Sequence, residues 1–455
     1  MKKKSPWSWI PTLYFAEGLP FITATEVAII LFANLGLSNS YNSALTALFF
    51  LPSILIKFLF GPLLDLAKTK RYWIILFQWI MTVCFALIAF SIPTTFVIQA
   101  VVALFLILAF NSALHDIAAD GFYLLELDTD KQAYFVGFRN TFYRMANIFA
   151  QGILVAFVGF LFEGKIFPSL EGKVDISWAI GFAVLGFIFA ICSLYHTFAL
   201  PRPEKAPPPL SPPAPQRGEF GSTTFEDSTA PKLPPLGGGG AQAFKHTFKT
   251  FFGKKDIGLI LFFLLTYRLG EAQLLRLAKP FLMDSFANGG LALKTSSVGV
   301  IYGTFGVMAL LAGGILGGIL IAKNGLKKWI LPMVLFLNAT NLFYVFLAYS
   351  QPVNVWITAS FVVFEQFSYG FGFTAYMLFL IRIADGQFKT AHYAFGTGIM
   401  ALSMFIPGLF AGIIQEHLGY KLFFIWVCVC TIPGIVASVL VKKNRNLINS
   451  TPSKN

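Results

Sequence analysis

The segment Gly61-Pro62-Leu63-Leu64-Asp65-Leu66-Ala67-Lys68-Thr69-Lys70-Arg71 is a short charged stretch between two long apolar runs. Gly61 permits the close approach of two helices, and Asp65 supplies a hydrogen-bond acceptor. The basic residues that follow Asp65, including Arg71, favour the cytoplasmic side of a membrane. The segment therefore predicts a tight cytoplasmic turn between two membrane-spanning helices.

The composition of the whole chain supports a membrane protein. Of the 455 residues, 56% are apolar and 12% are charged, whereas a soluble globular protein has about 25% charged residues. Apolar runs of about 20 residues, enough for a helix to cross a bilayer, recur along the chain. They predict an all-α membrane protein with twelve spans, at residues 9–34, 43–66, 72–91, 96–124, 134–162, 178–200, 257–283, 297–321, 329–349, 353–380, 387–415 and 422–441.

The basic residues of the predicted loops predict the orientation. The leader Met1-Lys2-Lys3-Lys4 precedes an apolar run that is too long for a signal peptide and has no small-residue cleavage site, so we expect an uncleaved first span. With the N-terminus inside, outside loops hold only Lys165, Lys173, Lys294 and Lys421, and the other basic loops lie inside. Both termini are predicted to be cytoplasmic, in a bacterial inner membrane. A basic face beside anionic lipid explains the net charge of +13 without a nucleic-acid partner.

A Pro- and Gly-rich segment divides the spans into six and six. Residues 201–243 lack the apolar side chains of a core and predict a disordered cytoplasmic linker. The predicted domains are an N-terminal six-helix bundle at 1–200, the linker at 201–243, an interfacial helix at 244–256, a C-terminal six-helix bundle at 257–441 and a cytoplasmic tail at 442–455.

The two predicted bundles contain matching motifs. Tyr14-Phe15-Ala16-Glu17-Gly18 in span one has a counterpart in Tyr267-Arg268-Leu269-Gly270-Glu271 in span seven. The loop at 61–71 has a counterpart at 317–328, which has Ile321 or Ala322 in place of the Asp. Both matches have an offset of about 255 residues, so we predict two halves related by an axis along the membrane normal.

The loop at 61–71 resembles the loop-2/3 signature of the major facilitator superfamily, and the resemblance implies a cytoplasmic gate loop with Gly61, Asp65 and Arg71. Other blocks resemble the muropeptide permeases of the AmpG type: residues 14–21, 115–121, 267–271, 365–372 and 393–420. The resemblance implies two six-helix bundles that rock about a central cavity. It also implies proton-driven import of N-acetylglucosaminyl-anhydro-N-acetylmuramyl peptides, or acetyl-CoA transport as in a related branch.

Two carboxylates stand one helical turn apart in span four, at Asp116 and Asp120. Charged groups in a membrane are costly and usually functional. Span four runs inward, which places both in its cytoplasmic third. Counting along span five puts Arg139 at the depth of Asp120 and Arg144 at that of Asp116. We expect a ladder of two ion pairs, which acts either as a static support or as a gate. If the arginines compensate the two carboxylates poorly, one Asp instead carries a proton.

Other polar residues in the spans are candidate binding groups. Glu17 precedes Gly18 and Pro20, so it lies at a helix break that lines a cavity or at a simple kink from which it snorkels. Span five carries one polar stripe at helical spacing, with Arg139 beside its start: Asn140, Tyr143, Arg144, Asn147 and Gln151. The predicted substrate contacts are Tyr14 of span one and, from this stripe, Asn140, Tyr143 and Asn147.

Four residues lie roughly 15 to 20 Å from their span ends, near the midplane: Arg268, Glu271, Glu365 and Tyr369. Arg268 is expected to pair with Glu365 and to bind a substrate carboxylate, because guanidinium binds carboxylate bidentately. Arg276 and Lys279 lie farther out, where they either attract an anionic substrate from the periplasm or, as the simpler explanation, snorkel to headgroups.

These patterns predict a monomeric secondary transporter that imports an anhydro-muropeptide or related amino sugar with protons. Predicted coupling or gate residues are Glu17, Asp116, Asp120, Arg139, Arg144, Glu271 and Glu365. The chain has no nucleotide-binding, nucleophile or metal-ligand motif, so an enzyme, a metal and a cofactor besides the proton are not expected. The alternatives are a permease for another anionic sugar or acyl-CoA-type solute, and a non-transporting sensor, which would need a soluble signalling domain.

Overall fold

The computed structural model describes residues 4–59, 68–127, 129–202, 248–384 and 389–448. The predicted linker at 201–243 falls almost entirely outside these ranges, as do Gly61 and Asp65 of the predicted cytoplasmic gate loop. Of the interfacial helix predicted at 244–256, residues 248–252 are described and helical.

The described chain is helical and contains the twelve helices of the predicted fold. Several helices consist of consecutive segments. The first ten, in chain order, are α1 (Ile10–Ile22, Thr23–Val27, Ala28–Asn34), α2 (Asn39–Leu48, Leu51–Leu59), α3 (Lys70–Ser91), α4 (Val97–Glu126), α5 (Thr129–Asn147, Ile148–Leu154, Val155–Phe162), α6 (Val174–Ala199), α7 (Ile257–Thr266, Leu269–Met283), α8 (Thr295–Val298, Gly299–Gly306, Val307–Asn324), α9 (Leu326–Ala339, Asn341–Ser350) and α10 (Val355–Ile383). The next helical stretch, Lys389–Cys430, turns at Gly419: the part before the turn is α11, and the part after it begins α12. Ile432–Lys443 completes α12.

Nine stretches of the described chain are long and apolar enough to cross a membrane. The difference from the twelve predicted spans arises at α2, at α10 and between α11 and α12. Gly419 has a φ of 69°, and α11 and α12 are counted as one stretch across it. The second helix is divided at Phe49 and Phe50 and is described only as far as Leu59, and α10 has polar residues at its centre, including Glu365 and Gln366.

The expected break at Gly18 and Pro20 has a different form. The backbone stays helical through Pro20 and then widens into a π-helix at Thr23–Val27. The Thr23 hydroxyl donates to the Leu19 carbonyl at 2.6 Å, which stabilises the backbone after the proline. Gly18 packs against α5, where an added Cβ would lie 2.9 Å from the Ala146 side chain. Local widening of this kind is often found at functional sites.

The buried apolar side chains form three clusters. The largest joins the two halves at the end of the bundle that holds the α1–α2 turn, with members from Leu31 of α1 to Phe281 of α7. The expected orientation places this end outside, and we call it the outer end. The other two clusters each belong to one half, around Phe122 in the first and Tyr376 in the second. The apolar core is therefore continuous between the halves at the outer end.

Hydrogen bonds also join the halves at the outer end. Asn39 of α2 donates to the Gln415 side-chain oxygen at 2.7 Å, and the Gly412 backbone N–H donates to Ser43 at 2.9 Å. Asn34 at the end of α1 donates to Thr295 at the start of α8 at 3.0 Å. The outer end is closed in this structure.

Glu163, just beyond α5, adds a charged contact to this closure. Its carboxylate accepts a hydrogen bond from the Ser296 backbone N–H of the other half at 3.3 Å and pairs with Lys165 at 2.8 Å. Burial opposes its ionisation, but the hydrogen bonds from Lys165 and Ser296 outweigh burial and hold the pKa of this carboxyl below its usual range. Glu163 is therefore an ionised acceptor at neutral pH.

Glycines permit the closest approach between the halves, where α5 meets α8. A Cβ added at Gly303 would lie 2.0 Å from the Gln151 carbonyl oxygen, and one at Gly152 would lie 2.3 Å from the Thr304 hydroxyl. Real Cβ atoms do not approach so closely, so a side chain at either position would force the two helices apart.

We expect Gly303→Ala to open the outer end, because overpacking costs about 1–3 kcal/mol and here falls on the closed state. Gly318→Ala is the matched control, since a Cβ there meets nothing within 4 Å. The measurement is labelling of a Ser43→Cys reporter by a membrane-impermeant thiol reagent, in a background without the four native cysteines. Equal labelling of both alanine variants would contradict the proposed role of this contact.

Candidate substrate and ion-coupling site

The first half places an ion pair where the ladder was expected. Arg139 lies 2.5 Å from Asp120, and its guanidinium stacks over the rings of Tyr14 and Tyr123 with centroid distances of 4.6 and 5.2 Å. Tyr14 is only 1% exposed, so in this structure it supports the ion pair rather than facing open space.

The second rung of the ladder has different partners. The Asp116 carboxyl lies within hydrogen-bonding reach of Glu17, which α1 buries to 5% exposure. Arg144 interacts electrostatically with the Tyr369 hydroxyl of the other half. Two carboxyl groups can share a hydrogen bond only when one holds a proton. Glu17 and Asp116 thus form a site suited to proton binding.

The polar stripe of α5 is partly present. Tyr143 and Asn147 are half-buried, and Gln151 donates to the Asn147 side-chain oxygen at 3.3 Å. The side chain of Asn140 lies outside the described part of the structure. Tyr143 and Asn147 lie on the same helix as Arg144, whose guanidinium is half-buried. These groups present hydrogen-bond donors and acceptors beside a cation.

The second half holds a guanidinium at the break in α7. Arg268 is 5% exposed, donates to the Tyr369 hydroxyl and stacks over the ring of Phe373 at 4.7 Å. Its acidic neighbour is Glu271, one turn along α7. The expected pairing of Arg268 with Glu365 is therefore wrong. Residues three apart on a helix lie on the same face, so Arg268 and Glu271 are close together.

Glu365 belongs to a buried hydrogen-bonded group on α8, α9 and α10. Its carboxylate accepts from the Gln366 amide at 2.9 Å and from the Tyr344 hydroxyl at 3.5 Å. Gln366 also donates to the Tyr302 hydroxyl at 3.0 Å. Glu365 and Glu271 interact electrostatically, and both are 1% exposed. Arg268 lies beside Glu271 only, so a proton is needed to compensate the second of these two buried carboxyl groups.

An ion pair between the halves lies toward the outer end. Lys279 of α7 donates to the Glu26 carboxylate of α1 at 2.5 Å and to the Gln151 side-chain oxygen at 2.9 Å. Arg276 stacks over the Phe50 ring at 4.8 Å. Both cations are buried inside the protein, so the expectation that they snorkel to headgroups is wrong. The position of a residue in the sequence gives its depth in the span, but not the face of the helix on which its side chain lies.

Glu26 is the functional candidate that the sequence reasoning missed. It stands in the first predicted span, where the cost of a membrane carboxylate should have singled it out as it did Asp116. Its partner Lys279 is 253 positions away. The pairing itself has no signal in the sequence.

His115 belongs to a buried network that joins four helices of the first half. The Gln78 amide donates to Nε2 of His115 at 3.0 Å, and its oxygen accepts from Nδ1 of His196 at 2.9 Å. Nε2 of His196 accepts from the Thr12 hydroxyl at 2.9 Å. Through this network, His115 is a hydrogen-bonded core residue.

Arg71 is the described member of the predicted gate loop. Its guanidinium donates to the Thr197 and Leu200 carbonyls at the end of α6. A cation at this position stabilises the negative end of the helix dipole. Arg71 therefore ties α3 to α6 within the first half.

The described residues contain no group of three or more His, Cys, Asp and Glu side chains able to hold a metal ion. What they do contain is a set of guanidinium and hydroxyl donors, with a carboxyl pair in each half. Such a set can bind an anionic or polar solute and exchange protons.

Comparison with known proteins gives one family. The family model of the Major Facilitator Superfamily matches residues 14–412. The chain is 23% identical over 453 residues to the anhydromuropeptide permease of Escherichia coli (strain K12), covering 96% of this chain and 82% of that protein. It is 22% identical over 401 residues to the putative transporter AmpG 4 of Rickettsia felis, covering 86% of each chain.

Two solved structures share the fold. The nucleoside transporter NupG has a TM-score of 0.66 at 12% identity, covering 96% of this chain and 99% of that chain. The D-xylose-proton symporter has a TM-score of 0.65 at 13% identity, covering 96% of both chains.

We expect Gln78→Ala to destabilise the protein, because the buried imidazoles of His115 and His196 both lose their partner. Leaving a buried polar group unpaired costs about 1–3 kcal/mol. The measurement is the thermal unfolding temperature in detergent, with Gln99→Ala on the exposed surface of α4 as control. Equal unfolding temperatures for the two variants would contradict the network's structural role.

Proposed function

Because this chain belongs to the Major Facilitator Superfamily, and is thus a multi-pass membrane transporter of small molecules, we propose that it imports anhydro-muropeptides together with protons. The observation that carries the proposal is that Tyr369 of the second half, whose hydroxyl accepts a hydrogen bond from Arg268, also interacts electrostatically with Arg144 of the first half. Alternating access moves the two halves relative to each other, and a site built from both can follow that movement.

The substrate class fits the side chains at this site. An anhydro-muropeptide carries peptide carboxylates and the hydroxyl and acetamido groups of its sugars. Guanidinium groups bind carboxylates through two parallel hydrogen bonds, and aromatic rings such as Tyr143 and Phe373 offer faces for sugar rings. The name of the Escherichia coli relative, anhydromuropeptide permease, supports this class over other anionic solutes.

The carboxyl pairs supply the proposed proton sites. Glu17 with Asp116 serves the first half, and Glu271 with Glu365 serves the second. Each pair lies beside an arginine that we assign to substrate or gate contacts. A proton that enters either pair removes net negative charge, and this change in charge favours movement of the half that holds it.

The proposed setting is the bacterial inner membrane, with both termini in the cytoplasm and anionic lipid beside the basic inner face. The basic residues of the loops support that orientation. We propose that a single chain is the transporting unit, since one chain contains both halves and the groups of the site.

The direct test is uptake of labelled N-acetylglucosaminyl-anhydro-N-acetylmuramyl tripeptide by proteoliposomes. We expect an inward proton gradient to drive accumulation and its collapse by an ionophore to leave only equilibration. Absence of uptake by correctly folded protein would contradict the muropeptide assignment. Accumulation that does not depend on the proton gradient would exclude the proton as the coupling ion.

We expect Arg268→Lys to lower uptake about ten-fold, equivalent to about 1.4 kcal/mol, although the charge is retained. An ammonium group cannot reproduce the planar, bidentate geometry of guanidinium. Arg202→Lys, on the exposed end of the first half, is the matched control. The measurement is the initial rate of uptake at low substrate concentration, and wild-type rates in both variants would exclude Arg268 from the site.

A further inference from the structure

Two buried cations on α7 face a single carboxylate from the other half. Arg276 and Lys279 are one helical turn apart, and their exposed fractions are 3% and 1%. Glu26 is the acidic group that interacts with both of them in the described part of the chain. The cluster therefore carries one uncompensated positive charge in a region closed to solvent, where such a charge is costly.

The contacts of Arg276 show which cation lacks an anion. Its guanidinium donates to the Thr25 backbone carbonyl at 3.4 Å and lies over the Phe50 ring. Its Nε has no hydrogen-bond partner and packs against Gly408, where an added Cβ would lie only 3.1 Å from that atom. Arg276 is thus a buried guanidinium that keeps donor capacity for another acceptor.

The described hydrogen-bond acceptors of both cations belong to the first half, whereas the Tyr302 ring beneath Lys279 belongs to the second half. Glu26 and Gln151 bind Lys279, while Thr25 and Phe50 contact Arg276. Separation of the halves at the outer end would remove these partners together. The outward-open state would then present two cations, one turn apart on α7, to the outer solution.

We propose that Arg276 and Lys279 form the outer recognition site for a carboxylate of the transported solute, and that Glu26 occupies this site as a built-in substitute when no solute is bound. The proposal rests on the proposed import function and adds a site to it. A solute carboxylate enters between Arg276 and Lys279 in the outward-open state. On closure, Glu26 returns to Lys279 and displaces the solute toward Arg268, two turns or about 12 Å farther inward.

Two roles of the Glu26–Lys279 pair make different predictions: a simple latch that holds the outer end closed, and a site in which Glu26 substitutes for a solute carboxylate. Exchanging the charges, with Glu26→Lys and Lys279→Glu together, keeps an ion pair between the halves but leaves α7 with one cation and one anion. A latch would work normally in this double variant. A carboxylate-binding site would be lost, although the outer end still closes.

The experiment measures two quantities in nanodiscs. Outer closure is the protection of the Ser43→Cys reporter, which is 2% exposed in the closed structure. Carboxylate recognition is the ratio of Kd values for the anhydro-muropeptide methyl ester and the free acid. We expect wild-type protein to prefer the acid at least ten-fold. The charge-exchanged protein should stay protected, which also shows that it is folded, and should lose the acid preference.

The single variant Glu26→Gln provides the opposite change. It should increase labelling of the reporter and bind the free acid several-fold more tightly, because the competing carboxylate is gone, while the ester is unaffected. A charge-exchanged protein that keeps the acid preference would overturn the substitute role and leave the proposed function standing. If wild-type protein binds neither the free acid nor the methyl ester, both the proposed function and the proposed outer site are contradicted.

Discussion

The structure depends on the rule that a charge buried in a membrane protein needs a partner. The pair formed by Glu26 and Lys279 applies this rule across the boundary between the halves, at 2.5 Å. Because its members belong to different halves, the pair exists only while the outer end is closed. When the halves move, the set of buried charges that have a partner therefore changes as well.

A chain of contacts connects this pair to the midplane. Lys279 lies 5.1 Å above the ring of Tyr302, whose hydroxyl accepts from Gln366, and Gln366 also donates to Glu365. Glu365 in turn interacts with Glu271. A change at the outer ion pair thus has a continuous path of buried polar groups to a proposed proton site. Each step is a contact whose geometry can be altered by one substitution.

Much of the architecture could be predicted from the sequence because hydrocarbon length and loop charge are local properties. Depth counting along two adjacent helices also placed Arg139 beside Asp120, and the structure has this pair. Pairings between distant helices could not be obtained in this way. Depth alone does not give the direction in which a side chain points, so Arg268 was assigned to Glu365, and Lys279 was assigned to the headgroups. The role of Gly303 depends on a helix contact that only the folded chain defines.

The most direct test of the account is the movement of protons that accompanies the solute. Proteoliposomes in weakly buffered medium, without an imposed pH gradient, are mixed with anhydro-muropeptide while the external pH is recorded. Coupled import predicts a rise in external pH that requires the protein and is abolished by a protonophore. A constant external pH during demonstrated uptake of the labelled solute would contradict the proton coupling on which the account depends.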